Sequence, residues 1–210
     1  MEYSRRDLIR GAVLSGAGAL SAQAALGSPP ALAAGVQPSS QGVDALFAQA
    51  SSDADVLRAL VTVEQLLAFS YEHLLAAGGL SDANKPLISG FLSHERAHLT
   101  LLGAALGRQG GTAPASPATV AGASRQLAQL GATGSLRLSH TEVDSIHYLI
   151  GAETVAEGVF YEALSKLDDA KLAVGAAEIM ACQAQHWTSL SGLLHAGDVN
   201  RAVPYPVVLG

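Results

Sequence analysis

His94-Glu95-Arg96-Ala97-His98 lies inside a long segment of helical periodicity, and two readings of these five residues imply different folds. Read as His94 and His98 flanking Glu95, the string sets two histidines one helical turn apart with a carboxylate between them. That arrangement holds zinc beside a general base for peptide hydrolysis. Read as Glu95-x-x-His98, it is one quarter of a two-metal carboxylate site in the core of a helical bundle. The five residues fit both readings, and what distinguishes them is the set of partners on the other helices.

Composition narrows the setting. The 210 residues, 49% of them apolar, suit one domain with a sizeable core plus a leader. Aromatic residues are only 5% while Ala and Leu abound, which favours close-packed helices over a β-sandwich. The formal charge of −6 argues against nucleic acid or an anionic membrane as partner. Cys182 is the one cysteine, so an isolated chain forms no disulfide and no cysteine-built zinc or iron–sulfur site.

The first residues read as a targeting segment. Ser4-Arg5-Arg6-Asp7-Leu8-Ile9-Arg10 is followed by a modestly apolar run from Gly11 to Leu26, rich in Gly, Ala and Ser and too weak to span a bilayer. Ala31-Leu32-Ala33 fits an A-x-A cleavage site, which makes residues 1–33 a signal peptide. The segment resembles the twin-arginine export signal, with Leu8 where that class often has Phe. The resemblance implies transit through the twin-arginine translocase and an extracytoplasmic location: periplasmic, wall-associated or secreted. No stable membrane anchor is expected after cleavage.

Beyond the leader, residues 34–52 read as a linker with a short helix over 43–50. Four longer segments then carry helical period, over 53–77, 81–106, 141–167 and 169–195. Ser52 or Asp53 caps the first and Gly78-Gly79 ends it. Ser81 caps the second, Pro86 falls in its opening turns where a missing N–H costs least, and Gly107 stops it. Gly197 follows the last helix, and residues 198–210, with Pro204 and Pro206, read as an extended tail. Short connections make the first two helices and the last two antiparallel neighbours. The long stretch 108–139, broken by Gly110-Gly111, Pro114 and Pro117 with a short helix over 118–130, forms a crossover. The chain is therefore expected to be all-α, a four-helix bundle of two antiparallel pairs joined by a long crossover, with the second and third helices parallel.

Polar residues interrupt the apolar stripes at matching depths. Glu64, Glu95, Glu153 and Gln183 each fall near mid-helix, so at a rise of about 1.5 Å per residue they meet in one layer. A carboxylate buried alone is costly and several in one layer repel, costs that divalent cations offset. Glu95-x-x-His98 and Gln183-x-x-His186 each add a histidine on the same helix face. Glu157, one turn past Glu153, either replaces the charge that Gln183 lacks or faces solvent. Tyr71, seven residues after Glu64, and Tyr161, eight after Glu153, read as core residues or as hydrogen-bond partners of the ligands, Trp187 as packing, Cys182 as a small buried residue and His94 as a neighbour of the site. His73, His140, His147 and His195 show no partner pattern. The zinc metallopeptidase reading loses its extensions, because Leu101 and Ala104 stand where the longer motif has Gly and a third His. No strand is expected before the tail to hold a peptide.

These four helices resemble the ferritin-like superfamily, and most of all exported bacterial ferritin-like domains. Carboxylate centres in that superfamily take one Glu from each of two helices and Glu-x-x-His from each of the other two. Over residues 53–197 the resemblance implies Glu64, Glu95, His98, Glu153 and His186 as ligands of two iron or manganese ions, and leaves Gln183 and Glu157 as the further candidates that the residues themselves offer. It implies oxygen or peroxide chemistry, iron oxidation or iron binding. The chain departs from the pattern at Gln183, where the family usually has Glu. A neutral amide is the weaker ligand, which sets against the two-metal expectation a metal-poor bundle with a structural, stress-protective or partner-binding role. Oligomeric state is left open.

Overall fold

The structure is a computed structural model that describes residues 40–198. The expected signal peptide over 1–33, the start of the linker and the tail over 199–210 lie outside the described residues. Among the described residues, six α-helices follow one another: α1 (Ser40–Phe47), α2 (Asp53–Ala77), α3 (Lys85–Arg108), α4 (Val120–Gln129), α5 (Glu142–Leu164) and α6 (Ala170–Leu194). A 3-10 turn, Leu136–Leu138, precedes α5, and no strand occurs among the described residues.

Local chemistry sets most of the boundaries. The side chains of Ser52, Thr119, Thr141 and Asp169 accept backbone N–H groups at the starts of α2, α4, α5 and α6. Gly78, at φ 79°, closes α2 in the left-handed conformation that other residues resist. Helix α3 begins at Lys85, not at Ser81 as expected. Pro86 takes one of its first two positions, where no N–H is needed, while the Ser81 carbonyl accepts Asn84 and Lys85 N–H groups in a preceding turn. Gly107 lies within α3, and the chain turns away at Gly110, φ 74°. Helix α1 is shifted toward the N-terminus of its expected span and buries Val43 and Phe47, one turn apart. Helix α5 ends at Leu164, and Lys166 and Leu167 N–H groups both turn back to the Ala163 carbonyl.

Two clamps between loops show the helix directions. The Asp53 carboxylate, at the start of α2, accepts the Asp168 and Asp169 N–H groups at 2.8 and 3.0 Å, which brings the α5–α6 connection beside it. Glu142, at the start of α5, accepts the Ser81 N–H and, at 2.9 Å, the Asn84 amide from the α2–α3 connection. Helix α2 therefore runs antiparallel to α5, and α3 runs parallel to it, as the crossover topology requires.

The core lies where α2 and α5 face each other. Leu60, Val63, Leu66 and Leu67 of α2 and Leu149, Val155, Val159 and Phe160 of α5 belong to one hydrophobic cluster, all without solvent exposure. The crossover packs back on the bundle through Ala123 and Leu127 of α4, and Gln65 donates to the Pro114 carbonyl at 2.9 Å. Gly151 admits it: a Cβ there would lie 3.0 Å from the Thr133 carbonyl oxygen. Among the described residues, no helix is long and apolar enough to cross a membrane.

Candidate metal centre

Apolar residues on both sides of the middle of each helix carry the polar layer into the bundle with them. Glu64 of α2, Glu95 of α3, Glu153 of α5 and Gln183 of α6 are fully buried, and His98 and His186 nearly so. The layer expected from the spacing of these residues is present, and all six meet in it.

They form two overlapping triads. Glu64, Glu95 and His98 make one, and Glu95, Glu153 and His186 the other; within each, the ligand-type atoms lie within 4.8 Å of one another. Glu95 belongs to both. Its Oε2 is 3.5 Å from His98 Nδ1 and its Oε1 3.0 Å from His186 Nδ1. His98 Nδ1 lies 3.3 Å from Glu64 Oε2, and His186 Nδ1 3.2 Å from Glu153 Oε1. The Gln183 amide donates to Glu64 Oε1 at 2.8 Å and to Glu95 Oε2 at 3.1 Å. The Tyr71 hydroxyl donates to Glu153 Oε1.

Several of these atoms are close together yet aim past one another. Glu64 Oε2, Glu95 Oε1, His98 Nδ1, Glu153 Oε2 and Gln183 Oε1 are buried without an aligned hydrogen-bond partner. Each such orphan costs about 1–3 kcal/mol. Clustered as they are, these atoms are arranged as ligands are, around shared points, and not as donors facing acceptors. Carboxylate oxygens outnumber imidazole nitrogens, and the residues present therefore fit a pair of cations that prefer oxygen.

The electrostatics agree. Burial, then the charge of Glu95, push Glu64 well above the usual carboxylate range. Burial and Glu95 also lift Glu153 to about 7, against the pull of His186 and Tyr71. Glu95 behaves oppositely: burial works against its charge, but contacts with His186 and His98 outweigh it and hold the group well below the usual range. Burial likewise disfavours the His186 imidazolium, but Glu153 and Glu95 carry it up to about 9. Without metal, Glu95 is thus held ionised beside the His186 imidazolium while Glu64 and Glu153 are shifted toward their protonated forms, a shift that added positive charge would oppose.

The remaining residues singled out in the sequence divide differently. Glu157 is half-buried with Oε1 unpartnered, and burial lifts it to about 7, but it joins neither triad. His94 is exposed and sits in a different cluster from His98, so the two histidines of the zinc string do not share a site. His94 Nδ1 instead meets His186 Nε2 at 2.9 Å. Tyr71, seven residues after Glu64 on one face, is buried and also takes the hydrogen-bonding role that its position left open beside packing, on Glu153. Tyr161 is exposed, not core. Trp187 packs and also donates to Thr154 Oγ1 at 3.1 Å. Cys182 is half-buried, not fully buried, and turns its sulfur toward His94 and His186. Phe91, one turn before Glu95, stacks on the His186 ring with centroids 4.2 Å apart, a contact that the sequence did not indicate.

No curated protein and no solved structure matches the chain significantly. The sequence model of one family does match, over residues 52–196, which run from the cap of α2 to just beyond the end of α6 and include every helix that lines the polar layer. The chain belongs to the ferritin-like domain family.

Proposed function

We propose that this protein is exported, holds two iron or manganese ions between its buried triads, and serves oxygen or peroxide chemistry or iron binding outside the cytoplasm. The observation that carries the reading is the sharing of Glu95 by two buried triads in which Glu64 Oε2, Glu95 Oε1, His98 Nδ1 and Glu153 Oε2 lack hydrogen-bond partners. When bound, such a pair supplies one-electron redox chemistry and activation of oxygen or peroxide. The chain supplies the frame. Glu64 and His98 hold one side, Glu153 and His186 the other, and Glu95 lies between them. Tyr71 fixes Glu153 through Oε1 and leaves Oε2 free, while Phe91 covers the His186 ring. Export is supported by the Arg5-Arg6 pair, the apolar run after it and the Ala31-Leu32-Ala33 site, which together point to the twin-arginine translocase as partner.

One observation favours a second, metal-poor reading. The Gln183 amide donates to both Glu64 and Glu95, so it already occupies part of the first triad with hydrogens. Metal analysis of the full chain purified after export separates the two. Two iron or manganese ions per chain are expected. Fewer than about 0.2 per chain, with melting unchanged on adding metal, overturns the metal reading. Replacing both Arg5 and Arg6 by Lys is expected to leave the precursor in the cytoplasm, and undiminished export would remove the translocase from the account.

A further inference from the structure

We propose that His94, Cys182 and His186 form a second metal site, which adjoins the carboxylate centre through His186 and takes a thiophilic cation such as zinc. The three ligand atoms already lie close together: His94 Nδ1 to His186 Nε2 is 2.9 Å, Cys182 Sγ to His186 Nε2 is 3.5 Å, and Cys182 Sγ to His94 Nδ1 is 3.8 Å. Tetrahedral zinc with ordinary bonds to nitrogen and sulfur puts neighbouring nitrogens about 3.3 Å apart and nitrogen and sulfur about 3.6 Å apart. The observed triangle differs from one face of that tetrahedron by a few tenths of an ångström. Cys182 and His186 are one turn apart on α6, and His94 faces them from α3.

His186 is held for this task from behind. Its Nδ1 donates to Glu153 Oε1 at 3.2 Å, Glu95 Oε1 lies 3.0 Å away, and Phe91 stacks on the ring. A carboxylate on one ring nitrogen orients the other toward a metal and strengthens it as a ligand. Here the other nitrogen, Nε2, points at His94 and Cys182. The facing nitrogens of His94 and His186 lie at hydrogen-bond distance, so without a cation one of them donates to the other. The cation replaces that hydrogen-bonding proton and the thiol proton of Cys182, and both go to solvent. His94 is exposed, so it can turn its lone pair onto the ion, and water can fill the fourth position. One thiolate with two imidazoles selects zinc or copper(I), whereas the carboxylate layer suits harder ions. The site shares His186 with the carboxylate centre but uses the opposite ring nitrogen, so it is proposed for the chain whose inner centre is empty and whose His186 Nδ1 still faces Glu153 and Glu95.

Cobalt(II), which takes zinc geometry and shows its ligands in its spectrum, tests this on the metal-free full-length chain. A thiolate-to-cobalt charge-transfer band is expected, saturating at one ion per chain and bleached by zinc. Cys182→Ser should abolish it and His94→Ala should weaken binding by about tenfold or more. Glu64→Gln, in the carboxylate layer, should leave it in place. His94 is exposed, so its replacement tests the ligand and not the fold. Absence of the band in the wild-type chain, or a band unchanged in His94→Ala, overturns the site and leaves a hydrogen-bonded histidine pair beside a thiol. Iron or manganese content of Cys182→Ser reports the inner centre separately, since carboxylate ligands give no such band.

Discussion

Tyr71 of α2 and Glu153 of α5 are both fully buried, and the tyrosine hydroxyl donates to Glu153 Oε1 across the interface that forms the core. The bond uses the oxygen that His186 also approaches and leaves Oε2 without a partner. Tyr71→Phe removes the donor and keeps the ring. It is expected to cost the metal-free chain about 1–3 kcal/mol. At about 2–4 °C per kcal/mol for a chain of this size, thermal melting resolves the loss. An unchanged Tm would mean that the hydroxyl serves packing alone.

Gln183 is the position at which metal-free stability and metal affinity are opposed. Gln183→Glu deletes two buried donor contacts to Glu64 and Glu95 and adds a third acid beside them. The metal-free variant should be destabilised by about 1–3 kcal/mol. Its affinity for manganese should rise, as calorimetric titration would measure. A variant that melts no lower without metal and binds manganese no better would show that the amide is neutral to both.

The helices were legible because their signals are local. Ser52 caps α2 as the sequence indicated, α5 and α6 each start one residue after the expected position, behind Thr141 and Asp169, and the depth of Glu64, Glu95, Glu153 and Gln183 follows from counting residues along a fixed rise. Rotation of one helix against another was not legible. Whether Glu153 or Glu157 faces the layer, whether Tyr71 reaches Glu153, and whether His94 meets His98 or Cys182 across the α3–α6 contact all depend on how side chains interlock. The start of α3 was misplaced for a different reason: Ser81 and Pro86 are both helix-start signals, and the turn held by Glu142 settles the competition in favour of the proline.

The charge arrangement makes a prediction about pH. Folding raises Glu153 from 4.5 to about 7 and His186 from 6.5 to about 9. Glu64, facing Glu95, Glu153 and Gln183, moves in the same direction as Glu153. Each binds its proton more tightly in the folded chain, so its contribution is complete below the unfolded value and is lost as pH rises through the folded one. Glu95, facing His98 and His186, has the opposite sign, but its contribution is lost only at acid pH, as pH falls below its ordinary carboxylate range. The Tm of the metal-free chain should therefore fall from about pH 5 to about pH 9, and saturating manganese should flatten the fall. A metal-free Tm that is flat or rising over that interval would overturn the assignment of charges.

Glu95 carries the sharpest test, because it is the member that the two triads share. If each triad holds one ion, Glu64→Gln and Glu153→Gln should each reduce metal content to about one per chain, and Glu95→Gln should remove both. The two single-triad variants need not be equal. The Gln183 amide donates to Glu64 and to Glu95 Oε2, both on the first triad, while Glu95 Oε1 and Glu153 Oε2 carry no such hydrogen. The ion beside Glu153 and His186 is therefore expected to bind more tightly. At limiting manganese, Glu64→Gln should retain most of the wild-type metal and Glu153→Gln should lose it. The reverse order would mean that the amide turns its oxygen toward the first triad when metal arrives, which makes Gln183 a ligand in its own right. Equal retention in Glu95→Gln and Glu64→Gln would break the shared-carboxylate arrangement altogether.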